Sequence, residues 1–214
     1  MINSTNVFWQ DCTVARADRT ALMHQEPLVL WLTGLSGAGK STLANSLAQR
    51  LFDDGHFVYV LDGDNLRHGL NRDLGFDEAD RHENIRRMAD VAGLMYDAGL
   101  VTLAACISPF KSDRDFARSL IPAGKFVEVF VDTPLEVCEQ RDSKGLYRRA
   151  RAGEIRDFTG IDSPFERPTH AEVTVDTSCS SPTDCADTVM RYLAEHRLLS
   201  SRLASSPDKA AQTR

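Results

Sequence analysis

Short runs of consecutive apolar residues alternate along the chain with stretches whose apolar positions recur every three or four residues. The runs Leu28–Leu32 (LVLWL), Phe57–Leu61 (FVYVL), Val101–Ile107 and Phe126–Val131 (FVEVFV) read as buried strands, with Glu172–Val175 a weaker fifth. Between them, Leu43, Leu47 and Leu51 predict a helix over 41–51 that stops near Gly55. Ile85, Met88, Ala92 and Met95 predict a long amphipathic helix over 80–99, closed by Gly99. Further helices are expected over 113–120, over 134–140 behind Pro134, and over 183–199.

Strands that alternate with helices imply right-handed crossovers and a parallel five-stranded sheet covered by helices on both faces, an α/β fold. Ligands in such folds sit beyond the carboxyl ends of the strands. That rule points at Gly34, Asp62, Ser108 and Asp132, each just after an expected strand. Two segments resist the alternation: 67–81 is polar and punctuated by glycine, and 143–168 is rich in Gly, Arg, Lys and Pro. Long irregular stretches inside a compact domain are usually lids or binding loops. The expected organisation is an N-terminal arm over 1–26, one domain over 27–199 with a lid about 143–168, and a polar, flexible tail over 200–214.

Composition narrows the partners. Among 214 residues, 31 acidic against 25 basic side chains give a formal charge of −6, which excludes a basic coat for nucleic acid but not a phosphate pocket built from a few amides and cations. No run approaches the ~18 apolar residues of a membrane span, and Asp11, Arg16, Asp18 and Arg19 stand where a signal peptide would be apolar. A cytoplasmic protein without membrane contact is expected. Cys12, Cys106, Cys138, Cys179 and Cys185 show neither CxxC pairs nor metal-ligand spacing, and read as thiols of a reducing compartment.

The sharpest chemical signal is Gly34-Leu35-Ser36-Gly37-Ala38-Gly39-Lys40-Ser41, followed by Thr42, which matches GxxxxGK[ST] between a strand and a helix. Glycines let successive backbone N–H groups converge on phosphate oxygens, and the helix N-terminus adds partial positive charge. In this reading Lys40 reaches the β/γ-phosphates of ATP and the Ser41 hydroxyl ligates Mg²⁺. A dinucleotide fingerprint fails, since Thr42 occupies its last position after Gly37 and Gly39, and no guanine-reading N/TKxD follows a later strand. The fold expected is therefore of the P-loop NTPase type, and a small-molecule kinase is favoured over a motor or helicase.

The acceptor is read from a resemblance. Leu61-Asp62-Gly63-Asp64-Asn65-Leu66-Arg67, Gly69-Leu70-Asn71, Asp73-Leu74-Gly75-Phe76, Asp80-Arg81-His82-Glu83-Asn84-Ile85-Arg86-Arg87 and Ile107-Ser108-Pro109 stand in the order found in adenylylsulfate (APS) kinases. So do Glu128 to Leu135, Cys138 to Asp142, Lys144-Gly145-Leu146-Tyr147 and Phe158-Thr159-Gly160-Ile161-Asp162, so that the chain resembles this family over roughly residues 5–177. The resemblance implies transfer of the ATP γ-phosphoryl group to the 3′-hydroxyl of APS, giving PAPS and ADP in sulfate activation, by a homodimer using Mg²⁺. Association with a separate ATP sulfurylase is left open, the chain being too short to include one.

Carried over residue by residue, the resemblance puts Asp62 at the 3′-hydroxyl and, through water, at the metal, with Asp64 beside it. Either carboxylate could instead only cap the turn that follows. Arg67, Arg81 and Asn84 would meet the phosphosulfate, planar guanidinium forks suiting a dianion better than lysines. Phe76 and Phe158 would sandwich the APS adenine, although without the resemblance both read equally as core anchors. Ile107 and Ser108 would lie beside the acceptor; Ser108 is a phosphoserine candidate in one account of the family, but with no histidine or other base adjacent, direct transfer is favoured. Lys144 would approach the transferring phosphate from the lid, near Leu146. Arg141 and Arg148 would complement ATP or form a charged surface, whereas Arg86 and Arg87 read as solvated or ion-paired and Asp132 as a turn former.

Three positions depart from the family pattern: Phe110 and Lys111 stand where Tyr and Arg are usual, and Phe165 where Tyr is common. Losing an arginine at 111 removes a bidentate donor, so acceptor affinity or substrate inhibition could differ. Two rival readings stay open at this point: a P-loop kinase for a nucleoside or sugar, and a nucleotide-binding paralogue without activity.

Overall fold

The computed structural model describes residues 6–199, and the tail expected over 200–214 lies outside them. Among these residues the chain forms α1 (Arg16–Met23), β1 (Leu28–Thr33), α2 (Lys40–Asp53), β2 (Val58–Asp62), α3 (Gly63–Leu66), α4 (Glu78–Asp97), β3 (Val101–Ala105), α5 (Lys111–Ser119), β4 (Phe126–Val131), α6 (Leu135–Arg141), α7 (Leu146–Arg151), β5 (Val173–Val175) and α8 (Pro182–Glu195). The strands form one parallel sheet in the order β2-β3-β1-β4-β5.

Strand periodicity sorts the core into two layers. From β1, Leu28, Leu30 and Leu32 face Leu43, Leu47 and Leu51 of α2 and Val189 and Leu193 of α8. Val29 and Trp31 face the opposite way, into Ile85, Met88, Ala92 and Tyr96 of α4 and Ala117 of α5. Every residue of β1, β3 and β4 is buried, which explains why these strands read as unbroken apolar runs. Each fully buried leucine in these rows contributes about 2 kcal/mol.

Helix ends follow local chemistry. The Asp77 carboxylate accepts from the Asp80 N–H at 2.8 Å and starts α4, which explains why this helix begins before the expected residue 80. Pro182 opens α8 behind a Ser181/Asp184 capping box. The expected strand over 101–107 stops at Ala105, because the chain turns away through Ser108 at φ 41°. Three short helices were not legible in the apolar pattern: α3, α7 and α1, which lies inside the expected arm. Helix α1 buries no residue; it is held by charge, with Arg19 donating to the Asp97 carboxylate at 2.5 Å and to the Asp97 carbonyl at 3.0 Å. Cations at a helix C-terminus, here that of α4, are favourable, but nothing in hydrophobic periodicity reports them.

Candidate active site

Gly34, the first glycine of the phosphate loop, sits at φ 147°, and a Cβ there would lie 2.5 Å from the Val131 carbonyl oxygen, so no other residue fits between β1 and β4. From this point the loop rises to Gly39 (φ 99°), which caps α2, and Lys40 starts the helix. Lys40 is only 9% exposed, and its Nζ donates to the carbonyls of Gly34 at 2.9 Å and Leu35 at 2.7 Å. Burial pulls its ammonium down to about 8, an effect the neighbouring Asp64 charge only partly offsets. Thr133 and Thr177 brace the loop from behind, donating to the Ala38 carbonyl at 3.1 and 2.8 Å.

A single cavity of about 1210 Å³ opens above the carboxyl ends of the strands. Ser36, Gly37, Gly39, Lys40, Ser41 and Thr42 line one end, whereas Gly34, Leu35 and Ala38 do not; Leu35 turns to a smaller hollow beside Gly160. Midway, Asp62 uses both oxygens: Oδ1 accepts from the N–H groups of Asp64 (3.0 Å) and Asn65 (3.3 Å), capping α3, and Oδ2 accepts from the Ser41 hydroxyl at 2.6 Å. The capping expectation for Asp62 is met through Oδ1, while Oδ2 is directed to the phosphate loop. Asp64 forms an ion pair with Lys144.

At the other end, Arg67 lies over the Phe76 ring at 4.2 Å and donates to the carbonyls of Leu74 and Gly75. Arg81 gathers three acceptors, the Phe76 carbonyl (2.7 Å), the Thr159 hydroxyl (2.9 Å) and the Asp157 carbonyl (2.6 Å), and so ties α4 to both irregular segments. Burial first, and then the Arg67 charge, pull the Arg81 guanidinium below its ordinary value, an effect the carboxylates of Asp157, Asp162 and Asp77 offset in part. Asn84 accepts from Asn71 Nδ2 at 3.0 Å. Phe76 stands 60% exposed on the cavity wall; Phe158 is 7% exposed, edge-on to Tyr147 at 5.0 Å, and serves as core anchor and cavity wall at once. Ile107, Ser108, Lys144 and Leu146 line the same cavity.

Arg141 joins the phosphate loop to the segment after β5, donating to the Gly37 carbonyl (3.3 Å) and to the Thr177 hydroxyl (2.8 Å) and carbonyl (2.6 Å). Of the α7 arginines, Arg149 reaches the cavity and Arg148 does not. Arg86 and Arg87 are ion-paired, to Glu83 and Asp90 and to Glu83 and Asp73, and together hold the Glu83 carboxyl down at about 2. Asp132 pairs with Arg167. At the departures from the usual pattern, Phe110 stacks on His82 at 4.6 Å, Phe165 stacks on Phe130, and the Lys111 ammonium turns to Asp115. Sequence reasoning gave no role to Thr133, Thr177 and Tyr147, whose hydroxyl donates to the Ser36 carbonyl at 2.9 Å. Threonine and tyrosine hydroxyls carry no signal of their partner until the fold brings it near.

A parallel sheet of this order, with a glycine loop whose lysine and serine open the following helix, defines a P-loop kinase. The sequence matches the family described as Adenylylsulphate kinase over residues 26–176. It is 55% identical over 197 residues to the adenylyl-sulfate kinase of Marinobacter nauticus, covering 92% of this chain and 99% of that one. The chloroplastic adenylyl-sulfate kinase 1 of Arabidopsis thaliana is 55% identical over 192 residues, covering 89% of this chain and 70% of that protein. Among solved structures, the Mycobacterium tuberculosis APS kinase CysC in complex with AMPPNP and APS superposes with a TM-score of 0.75 at 48% identity, over 79% of this chain and 98% of that chain. The chain belongs to the adenylylsulphate kinase family, and its activity is that of an adenylyl-sulfate kinase, an ATP-dependent phosphotransferase. Among the described residues no helix is long and apolar enough to cross a membrane.

Proposed function

We propose that ATP occupies the phosphate-loop end of the cavity and APS the end framed by Arg67, Phe76, Arg81, Asn84 and Phe158, so that the γ-phosphoryl group passes in line to the APS 3′-oxygen beside Asp62. The observation that carries this reading is the continuity of the cavity: one space joins both ends, with Asp62 between them. Lys40 and the loop amides stabilise charge on the transferring group, and Lys144, held at the mouth by Asp64, adds to them from the lid over 143–168. Asp62 orients the acceptor hydroxyl and takes its proton. Arg141 anchors the nucleotide end, while the open face of Phe76, whose other face is covered by Arg67, and the ring of Phe158 stack the APS adenine.

Ser41 and Asp62 supply two hard oxygens 2.6 Å apart at the start of α2, a pair that fits Mg²⁺, which takes one or two protein oxygens and completes its shell with phosphate and water. Ser41 would hold the ion directly and Asp62 through water. When bound, the ion neutralises charge on the phosphate oxygens.

Direct transfer, without a phosphoserine, is supported by the surroundings of Ser108. It is 1% exposed, its hydroxyl is hydrogen-bonded on both sides, and the neighbouring Cys106 thiol, pushed up to about 12 by burial, stays protonated and offers no base. The reading includes a cytoplasmic homodimer, checked as twice the chain mass in light scattering.

The test of the reaction is incubation with MgATP and APS, with adenosine 5′-monophosphate as control acceptor, and mass spectrometry of the nucleotides. PAPS and ADP together, with little product from the control, are expected. ATP bound without PAPS would overturn the assignment of the acceptor end.

A further inference from the structure

We propose that Trp31 and Thr33, two β1 side chains that do not line the cavity, are positioning residues that hold the Ile107–Pro109 turn as a wall of the acceptor end. The inference rests on the placement of APS given above, and goes beyond it in assigning work to two residues of the core.

Ser108 has φ 41°, a left-handed backbone that non-glycine residues rarely adopt and keep only where the surroundings enforce it. The enforcing groups come from β1. Trp31 Nε1 donates to the Ser108 hydroxyl at 3.1 Å, the Ser108 hydroxyl donates to Thr33 Oγ1 at 2.9 Å, and the Thr33 hydroxyl donates to the Ile107 carbonyl at 2.6 Å. From the far side Arg114, paired with Glu128 at 2.8 Å, donates to the Ser108 carbonyl at 2.7 Å. The result is a closed chain of donors across the ends of two neighbouring strands, at the point where β3 has ended and its chain turns over β1.

Packing alone does not account for this chemistry. Trp31 is fully buried and stacks on Phe126 at 5.9 Å, so its volume belongs to the core, but any large apolar ring would supply that volume. A buried indole N–H needs an acceptor, and the one it has is on the cavity wall. Likewise Thr33 is fully buried, and valine would match its shape while leaving the Ser108 donor and the Ile107 carbonyl without partners. Because Ile107, Ser108 and Pro109 line the cavity while Trp31 and Thr33 stand behind them, the two act on the acceptor through the turn.

The decisive variant is Thr33→Val, which preserves shape, with Thr33→Ser as the conservative partner and Arg81→Lys as the control for the placement of APS. Thr33→Val is expected to raise the KM for APS about tenfold, the worth of one lost buried hydrogen bond, with kcat and the ATP Kd nearly unchanged, and Thr33→Ser to restore it. A second readout needs no turnover. In Trp9→Phe, Trp31 is the one tryptophan of the two that remains, and its emission is expected to change when APS is added and not when ATP is added. An unaltered KM for APS in Thr33→Val, equal losses toward both substrates, or a Trp31 emission indifferent to APS would overturn the proposal. If Arg81→Lys also leaves the KM for APS unchanged, the placement of APS itself falls; if Arg81→Lys raises it and Thr33→Val does not, only the role of β1 falls.

Discussion

The two ends of the cavity are built in opposite ways. At the phosphate-loop end the proposed chemistry falls to eight consecutive residues, Gly34 to Ser41, running from the end of β1 into the first turn of α2, and the backbone does much of it: loop amides, a helix N-terminus, and one lysine held by the carbonyls of its own loop. At the proposed acceptor end the lining groups come from four separate stretches, Arg67 and Phe76, Arg81 and Asn84, Ile107 and Ser108, and Phe158, and side chains do the joining. Arg81 alone ties three of its hydrogen bonds to residues 76, 157 and 159. The contrast teaches that a donor site made from one contiguous turn tolerates change elsewhere in the fold, whereas an acceptor site made from distant segments depends on the residues that hold those segments together.

The largest effect should come from the contiguous end. Lys40→Ala removes the charge proposed to stabilise the transferring phosphoryl group, and a loss in kcat of ~10³ is expected, in line with removal of one preorganised donor. Circular dichroism and melting should show the fold intact, since Lys40 contributes no apolar packing; unchanged turnover would refute the role of the loop lysine. Next, Asp62→Ala should lower kcat by ~10² while ATP still binds, because general-base groups are worth about that much. Retained wild-type turnover would remove Asp62 from the mechanism and reduce it to the cap of α3.

Arg81→Lys sharpens the contrast. A lysine keeps the charge but cannot reach three acceptors in a planar fork, so the KM for APS should rise by ~10 to 30-fold, with the ATP Kd unchanged. Equal weakening of both substrates would mean that the two ends are not independent. Isothermal titration with ATP and steady-state kinetics with APS separate these outcomes.

The same contrast explains what could be read before the fold was known. The sheet and its main helices were legible because fully buried parallel strands read as apolar runs, and because α2 and α4 pack through regular rows such as Leu43, Leu47 and Leu51. The phosphate loop was legible because its chemistry is local. For the acceptor end, polarity and glycine marked 67–81 and 143–168 only as irregular; resemblance to a family supplied the roles. Thr177 escaped because its partners, Arg141 and Ala38, lie 36 and 139 residues away. Helix α1 escaped because an ion pair from Arg19 and the Arg16 guanidinium over the Tyr96 ring, and no buried face, hold it.

The smallest effect expected is a dependence of ATP binding on pH, confined to the contiguous end. Burial brings the Lys40 ammonium down to about 8, so above that pH the free protein has largely lost this proton. Phosphate groups beside Lys40 favour its charged form and raise its value in the complex, so between about pH 8 and the raised value the complex holds more protons than the free protein. By linkage, affinity for ATP then falls as pH rises through that window, with a limiting slope of about tenfold per pH unit, and is flat below it. Binding titrations from pH 7 to pH 9 should show the break, a total change of about tenfold, and calorimetry at pH 8.5 in buffers of different ionisation enthalpy should show proton uptake. In Lys40→Arg, whose guanidinium stays charged throughout, both should vanish. The break persisting in that variant would assign the titration to another group, and the desolvated lysine would no longer distinguish the donor end from the acceptor end.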